Sequence, residues 1–566
     1  MPNPFVEAIA EQVAKATGLA AADVEDLLET PPNPEMGDYA LPCFTLAKTL
    51  RKSPNLIAEE LSSQVEIGDT ITKVRPSGPY LNFFVSKIDL VTGTMEKVLS
   101  QGDDYGRSDP GSGKTVVIDF SSPNISKPFT IHHIRTTAIG NSLGRIYAAL
   151  GWNVVGINYL GDWGAPHGMN IAAYKRWGDE ETVRKNPAYE LFNLYVKYNA
   201  EVDDDPALKE SAQAWTRRLE AGDEEAHTLW RWFREETIED FKRVYDRMGV
   251  TFTEFSGESE FHKASEDLIE DLKARGLGVE SEGALVVKFD DDLTPAVLQT
   301  GHGTIVYLPR DIAAAVHRKK KYDFDKMVYV VGGEQTLHFK QLFRTLKMMG
   351  HDWADDCEHV SFGMINFKGM KMSTRRGNVI FLEEVLDKAI EITREIIEKK
   401  NPDLPNKDRV AKDVGIGAVI YADLDSRRTR DVVFDWEEVL NFTGETGPYI
   451  QYTHARYCSV LRKYGQDVPP SDANLTLLSE PETLAVIKCI EDFPKKIGQA
   501  AENDEPSLIA TYLIELCSVA NRFYNVHRVV SEDEALTKSR VTLVYAIKTV
   551  LRNGLDLLGI KAPEEM

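Results

Sequence analysis

The sequence predicts an α/β protein. Its doubly wound parallel sheet is interrupted by a helical insertion, with a small α+β domain before it and an all-α domain after it. Three observations carry that expectation. Short apolar runs alternate with helical periodicity in residues 116–158 and again in 327–363. Between these blocks, from about 169 to 282, the chain is highly charged and helical in pattern. Beyond 404 only helical patterns are found.

In residues 1–110, helical spacing at 6–16 and 56–65 precedes Tyr80-Leu81-Asn82-Phe83-Phe84-Val85, which reads as a strand. Residues 102–113 are rich in Gly, Asp and Ser and read as a linker. Val116-Val117-Ile118-Asp119-Phe120 has the continuous apolar character of a buried strand. A polar loop over 121–130 follows. From Ile134 the apolar residues Ala138, Ile139, Leu143, Ile146, Tyr147 and Leu150 recur at helical spacing, and Gly151 stands where a helix C′ glycine belongs. Residues 153–158 read as the next strand. Strand, loop, helix and strand in this order open a doubly wound sheet. Sheet signals return at 327–331. A helix over 337–349 is closed by Gly350, and 359–363 is a further strand. The expected boundaries are 1–110, 111–168, 169–282, 283–403 and 404–566.

Composition agrees. With 42% apolar, 27% charged and 9% aromatic residues, disordered, collagen-like and disulfide-stapled classes are excluded. At roughly 100–200 residues per domain the chain holds about three to five domains. No apolar run approaches the ~20 residues of a membrane span. Met1-Pro2-Asn3-Pro4-Phe5 lacks the basic and apolar regions of a secretory signal, so a cytoplasmic protein is expected. The five cysteines form no C-x-x-C pair, which disfavours a structural zinc site, and no metal ligands are predicted. A net charge of −23 argues against a general nucleic-acid binder and leaves only local basic tracks. His317-Arg318-Lys319-Lys320-Lys321 is such a track, or else a solvated helix C-terminus whose cations suit the dipole.

Gly111-Ser112-Gly113-Lys114-Thr115 imitates the end of a P-loop. Ser108 stands where the first glycine should be, however, and a strand follows instead of a helix. A stronger signal is the run from Ser121 through Pro123, Asn124, Lys127, Thr130, His132 and His133 to Arg135. It joins a strand to a helix at the carboxyl edge of the sheet, where open α/β folds bind ligands. Histidine and free backbone N–H groups at a helix N-terminus can donate to phosphate; a structural histidine pair is the alternative. A second loop, from Lys368 through Lys371, Met372, Ser373, Thr374, Arg375 and Arg376 to Asn378, has the charge to clamp a polyphosphate leaving group; a solvated basic turn is the alternative. The third group is Tyr307-Leu308-Pro309-Arg310-Asp311 with Gly332-Gly333-Glu334-Gln335. Asp311 and Asp119 are costly to bury unpaired, a cost that a cationic ligand, a protein cation or solvent would remove.

Together these residues resemble class I aminoacyl-tRNA synthetases, and closely the arginyl-tRNA synthetases. The first loop is similar to the S-P-N-I-A-K-P leader and "HIGH" signature. Lys371-Met372-Ser373-Thr374-Arg375 is similar to the "KMSKS" loop, and Gly161-Asp162-Trp163-Gly164 matches the G-D-W-G element. The run Thr446-Gly447-Pro448-Tyr449-Ile450-Gln451-Tyr452-Thr453-His454-Ala455-Arg456 resembles the opening of the anticodon-binding helical domain. Gly37-Asp38-Tyr39-Ala40 and Leu46-Ala47-Lys48 resemble the N-terminal additional domain.

The resemblance implies a Rossmann-like catalytic domain and an arginine–tRNA ligase. ATP is its substrate and Mg2+ its cofactor; L-arginine and tRNA(Arg) are its partners; it has no membrane attachment and is a monomer. It implies His133, Lys127, Lys371 and Arg375 as catalytic residues. Thr130, His132, His133, Met372 and Ser373 would bind ATP. Asp119, Ser121, Asn124, Tyr307, Asp311 and Gln335 would bind arginine, and Asn82, Tyr449, Gln451 and Arg456 tRNA. Four departures stand out. Thr130 replaces the first signature histidine, and His132 replaces the glycine beside which adenine lies. Thr374 replaces the second lysine of the basic loop, for which Lys127 is expected to substitute. Pro166-His167 replaces the usual Gln and aromatic residue. An imidazole at 132 is expected to crowd the base. The alternatives are a catalytically impaired tRNA-binding relative of the same fold, or another class I synthetase or nucleotidyl transferase.

Overall fold

A computed structural model describes residues 3–566 apart from 32–34, 128, 291, 369–378, 466–468 and 471. The chain forms two compact units. One comprises Met1–Tyr105, Val460–Pro494 and Ser518–Val550; the other comprises Gly106–Ser459, Lys495–Cys517 and Leu551–Met566.

In the first unit a three-stranded antiparallel sheet has the order Tyr39–Pro42, Tyr80–Val85, Ile71–Ser77. The helix Pro4–Thr17 begins where local chemistry says it should. The Asn3 side chain accepts from the N–H groups of Phe5 and Val6, proline occupies the first turn, and Gly18 ends the helix at φ 76°. Gly37 has φ 147°, and a Cβ there would lie 2.9 Å from the Phe83 carbonyl oxygen, so glycine is required.

The second unit is built on a five-stranded parallel sheet, in the order Cys357–Phe362, Lys326–Gly332, Thr115–Asp119, Asn153–Leu160, Glu254–Gly257. From its other edge that is the doubly wound order, with the reversal between Thr115–Asp119 and Lys326–Gly332. Val117, Ile157, Met327 and Tyr329 from these strands pack with Ile312, Leu342 and Leu346 from covering helices. The helix His133–Ala149 lies against the sheet, and its Gly140 is needed because a Cβ would sit 2.3 Å from the Phe120 ring. Gly151 and Gly350 adopt φ 81° and 86° after their helices. The P-loop imitation is a turn feeding the strand Thr115–Asp119, with the Lys114 ammonium over the Trp152 ring.

Three strands in segments read as helical escaped the sequence reading. The range 169–282, read as helical, contains six helices from Ala165–Trp177 to His262–Ala274, but also the edge strand Glu254–Gly257 and the strand Gly278–Ser281. Glu254-Phe255-Ser256-Gly257 has one large apolar side chain, so it carries no period. Likewise Val432–Phe434, in a region read as only helical, pairs in parallel with Ile365–Phe367; three residues are too few to register as a strand. No helix of the described residues is long and apolar enough to cross a membrane, and the five cysteines are free thiols.

Candidate active site

The sheet's carboxyl edge opens at its point of reversal. Immediately after the strand Thr115–Asp119, Ser121 and Ser122 take φ values of 69° and 46°, a left-handed backbone that costs about 1–3 kcal/mol per residue. Hydrogen bonds offset the strain: Ser121 N–H donates to Thr136 Oγ1 at 2.9 Å, and Ser122 N–H to Asn158 Oδ1 at 3.2 Å. The turn carries the chain over to Gly161, which Asn124 meets in an isolated parallel bridge. Asn124 Oδ1 accepts the Ser126 N–H at 2.9 Å, leaving the Nδ2 hydrogens as the donors available to a ligand.

The loop ends in the first turn of His133–Ala149. His133 Nδ1 lies 3.0 Å from the Thr130 amide nitrogen, which donates to it in the Nε2–H tautomer, and 3.2 Å from the Thr130 carbonyl oxygen. The imidazole stacks on Phe129 with centroids 5.0 Å apart. Burial, joined by the charges of His132 and Lys127, pushes its pKa down to about 4. His133 is thus neutral at physiological pH, in the first turn of the helix, where its own N–H and that of Ile134 bond back to the Thr130 and Ile131 carbonyls. His132, the residue before the helix, has φ −61°, so a side chain there brings no backbone strain. Its ring is half-buried, its Nδ1 has no hydrogen-bond partner, and burial lowers its pKa. Two backbone bonds, Ile131 N–H to Ile380 O at 3.0 Å and Leu382 N–H to Phe129 O at 2.9 Å, tie this leader to residues 380–382. Lys371, Met372, Ser373, Thr374 and Arg375 lie outside the described residues.

An acidic pocket adjoins at the start of the helix Tyr307–Tyr322. Tyr307 is 61% exposed, and the Arg310 guanidinium lies over its ring. Asp311 Oδ2 accepts from His338 Nε2 at 2.7 Å. Glu258, just after the edge strand, is largely buried. Its nearest cation is Arg310, with Nη2 3.3 Å from Oε2, yet Oε2 makes no hydrogen bond. Burial pushes the Glu258 carboxyl up to about 8; Arg310 opposes this, while Asp311 and Asp162 add to it. The Tyr159 hydroxyl is buried nearby, also without a hydrogen bond. Gln335 closes a short turn after Lys326–Gly332 and is exposed. With both carboxyls ionised, Asp311 and Glu258 set two negative charges against the one guanidinium of Arg310, and a planar cation with several donors would balance them.

Several expected site residues are placed otherwise. Asp119 does not face a vacant cation site: Arg318 Nη1 lies 2.8 Å from Oδ2, and the Ser122 hydroxyl donates to Oδ1 at 2.7 Å. Burial works against the Arg318 charge, but Asp119, Tyr329 and Tyr159 together outweigh it and hold the guanidinium pKa above its ordinary value. Arg318 therefore belongs to the interior, although the run around it reads as a surface track. The Ser121 hydroxyl is spent inside the protein on Tyr245 and Thr137, at 2.7 and 2.9 Å. Asn82 is 1% exposed, with neither amide atom hydrogen-bonded, inside the first unit. Gln451 is wholly buried and donates to the carbonyls of Asp413 and Lys561 at 3.1 and 2.7 Å. A tRNA contact by either would need a rearrangement. Tyr449 and Arg456 are partly exposed on the helix Gly447–Tyr464, and the Arg456 guanidinium lies over Tyr452.

Glu258 and His338 were missed by the sequence reading, and Arg318 was read there only as part of a basic track or a solvated helix end. Each sits in a stretch where charged residues are frequent, and nothing local separates it from its solvated neighbours.

Three family models match the chain. One for tRNA synthetases class I (R), catalytic domain, covers residues 94–436. The DALR anticodon binding domain covers 450–566 and the arginyl tRNA synthetase N terminal domain 5–85. A protein of Halothermothrix orenii named arginine–tRNA ligase is 46% identical over 563 residues, 99% of each chain. One of the same name from Clostridium botulinum strain Okra is 47% identical over 560 residues, again 99% of each. The solved Thermus thermophilus arginyl-tRNA synthetase matches with a TM-score of 0.85 and 25% identity over 100% of both chains. That of Plasmodium falciparum, at 22% identity and a TM-score of 0.81 over 99% of this chain and 98% of its own, shares the fold.

Proposed function

The chain belongs to the class I arginyl-tRNA synthetases, and we propose that it joins L-arginine to tRNA(Arg) at the expense of ATP. In the first step an arginine carboxylate oxygen attacks the α-phosphorus, the bond to the bridging oxygen breaks, and pyrophosphate leaves. In the second, a hydroxyl of the tRNA's terminal adenosine attacks the acyl carbon and AMP departs. One observation carries the reading: two carboxyls set against one guanidinium, and a helix N-terminus bearing a neutral histidine, both stand at the carboxyl edge of one doubly wound parallel sheet. Charging of bulk tRNA with each of the twenty amino acids tests it. Charging by arginine alone is expected; transfer of another amino acid, or none, would overturn it.

In this reading Asp311 and Glu258 face the guanidinium, Tyr307 covers it, and Asn124 and Gln335 hold the rest of the amino acid. His133 Nε2–H donates to a phosphate oxygen as charge builds on it, at the positive end of the helix dipole, and a fixed donor needs no reorganisation at that moment. Lys127 adds a positive charge on the same loop, with Lys371 and Arg375 from the basic loop. Magnesium travels on the triphosphate. Among the described residues no group of three His, Cys, Asp or Glu side chains could cage it, and this ion is commonly bound through substrate phosphates. Tyr449 and Arg456 remain the tRNA contacts of the helical domain. The enzyme works as a cytoplasmic monomer, with functional boundaries at 1–110, 111–168, 169–282, 283–403 and 404–566.

The pocket makes arginine binding pH-dependent. With its carboxyl pushed up to about 8, Glu258 is mostly protonated at neutral pH in the free enzyme. Guanidinium is charged throughout this range and favours the ionised carboxylate, so binding releases a proton. The KM for arginine is therefore expected to fall as pH rises from 6.5 towards 9, by up to about tenfold per unit below the pKa. Glu258→Gln should flatten that dependence; a wild-type KM flat over the range would contradict the assignment.

At His132 the expectation concerns ATP. Steric overlap in a packed site costs about 1–3 kcal/mol, or roughly 5- to 150-fold. His132→Gly is expected to lower the ATP KM several-fold and leave the arginine KM alone. A variant that is no better would make His132 an adapted ATP contact.

A further inference from the structure

Asp162, in the Gly161-Asp162-Trp163-Gly164 element, is wholly buried, and its carboxylate is fully engaged. Oδ1 accepts the Ser259 N–H at 2.8 Å; Oδ2 accepts the Ser259 hydroxyl at 2.8 Å and Arg234 Nε at 2.7 Å. The Asp162 carbonyl accepts Trp230 Nε1 at 2.7 Å. Gly257 leaves no room for a side chain beside the same carboxylate, since a Cβ there would lie 2.2 Å from Oδ2. Residue 259 is thus held by the Asp162 side chain and residue 257 lies close against it, and the residue between them is Glu258. Arg234 and Trp230 both lie on the long helix Glu224–Met248 of the insertion.

We propose that Asp162 is a positioning residue for arginine specificity: it clamps the segment that aims Glu258 into the pocket and ties that carboxyl to the helix Glu224–Met248. The proposal rests on the reading of Glu258 as a guanidinium partner. Two hydrogen bonds from Asp162 hold Ser259 on one side of Glu258 and a close approach to Gly257 confines the other, which removes freedom that arginine binding would otherwise have to quench. A second link is electrostatic. The charged and titratable groups facing Glu258 are Arg310, Asp311 and Tyr307 from the helix Tyr307–Tyr322, Tyr159 from the strand Asn153–Leu160, and Asp162 itself. Neutralising Asp162 removes one of the negative charges that keep Glu258 protonated.

Full-length Asp162→Asn, Glu258→Gln and Ser259→Ala are compared with wild type by pyrophosphate exchange across the pH range, with arginine and ATP varied separately. Asp162→Asn is expected to raise the arginine KM roughly fivefold or more, the scale of coupling between contacting residues, with the ATP KM within about twofold. The pH midpoint of its arginine KM should move downwards, a change that loss of packing alone would not produce. Adding Asp162→Asn to Glu258→Gln should raise the arginine KM little further. Equal effects on both substrates, or an arginine KM and midpoint left at wild-type values, would overturn the proposal. An unchanged arginine KM in Glu258→Gln would instead overturn the pocket reading beneath it. Should Asp162→Asn fail to fold, Ser259→Ala removes one clamp bond and decides the question: a selective rise in arginine KM supports the clamp, and none refutes it.

Discussion

His133→Asn should slow adenylate formation about 100- to 1,000-fold while the arginine KM stays within about twofold, the usual cost of removing one fixed donor from a developing oxyanion. The imidazole is held for that task by three independent constraints: the Thr130 amide on Nδ1, the stack on Phe129, and burial that keeps the ring neutral. Asparagine is shorter and cannot reproduce both the amide contact and a donor at the far ring position. The measurement is single-turnover adenylate formation with saturating arginine and ATP. A rate within about tenfold of wild type would make His133 a structural partner of Thr130. A parallel rise in arginine KM would mean that the substitution had disturbed the loop through Asn124 as well.

Asp311→Asn should raise the arginine KM roughly 10- to 150-fold, since a hydrogen bond to a charged group is worth about 1.5–3 kcal/mol. Asparagine keeps the shape, and its amide oxygen can still accept from His338. The variant therefore tests the negative charge more than the packing. Thermal stability is expected to stay near wild type because Asp311 is only partly buried. An arginine KM within about twofold of wild type would exclude Asp311 as the guanidinium partner and leave that role to Glu258. A KM for ATP that rose equally would point to a displaced helix Tyr307–Tyr322.

Sequence alone determined much of this protein because much of it is locally encoded. The strands Thr115–Asp119, Asn153–Leu160, Lys326–Gly332 and Cys357–Phe362 are apolar runs bounded by turn chemistry, and the helix ends at Gly151 and Gly350 follow from residues that tolerate positive φ. The signature loops were legible for a related reason: their residue types in order on one strand–loop–helix segment are enough to mark the edge where ligands bind. The same encoding fails for three- and four-residue strands, and so for Val432–Phe434 and Glu254–Gly257. Which charge meets which was decided only by tertiary structure. Asp119 and Arg318 are both ordinary charged residues in sequence, and only the packing of the helix Tyr307–Tyr322 brings them to 2.8 Å and turns an expected ligand contact into an internal ion pair. Asn82 and Gln451 read as surface contacts and are buried, and Glu258 reads as one acid among many and lines the pocket. Periodicity reports which face of an element is apolar. It cannot report the partner of a polar side chain, because that partner lies on another element whose position depends on how the whole sheet is ordered.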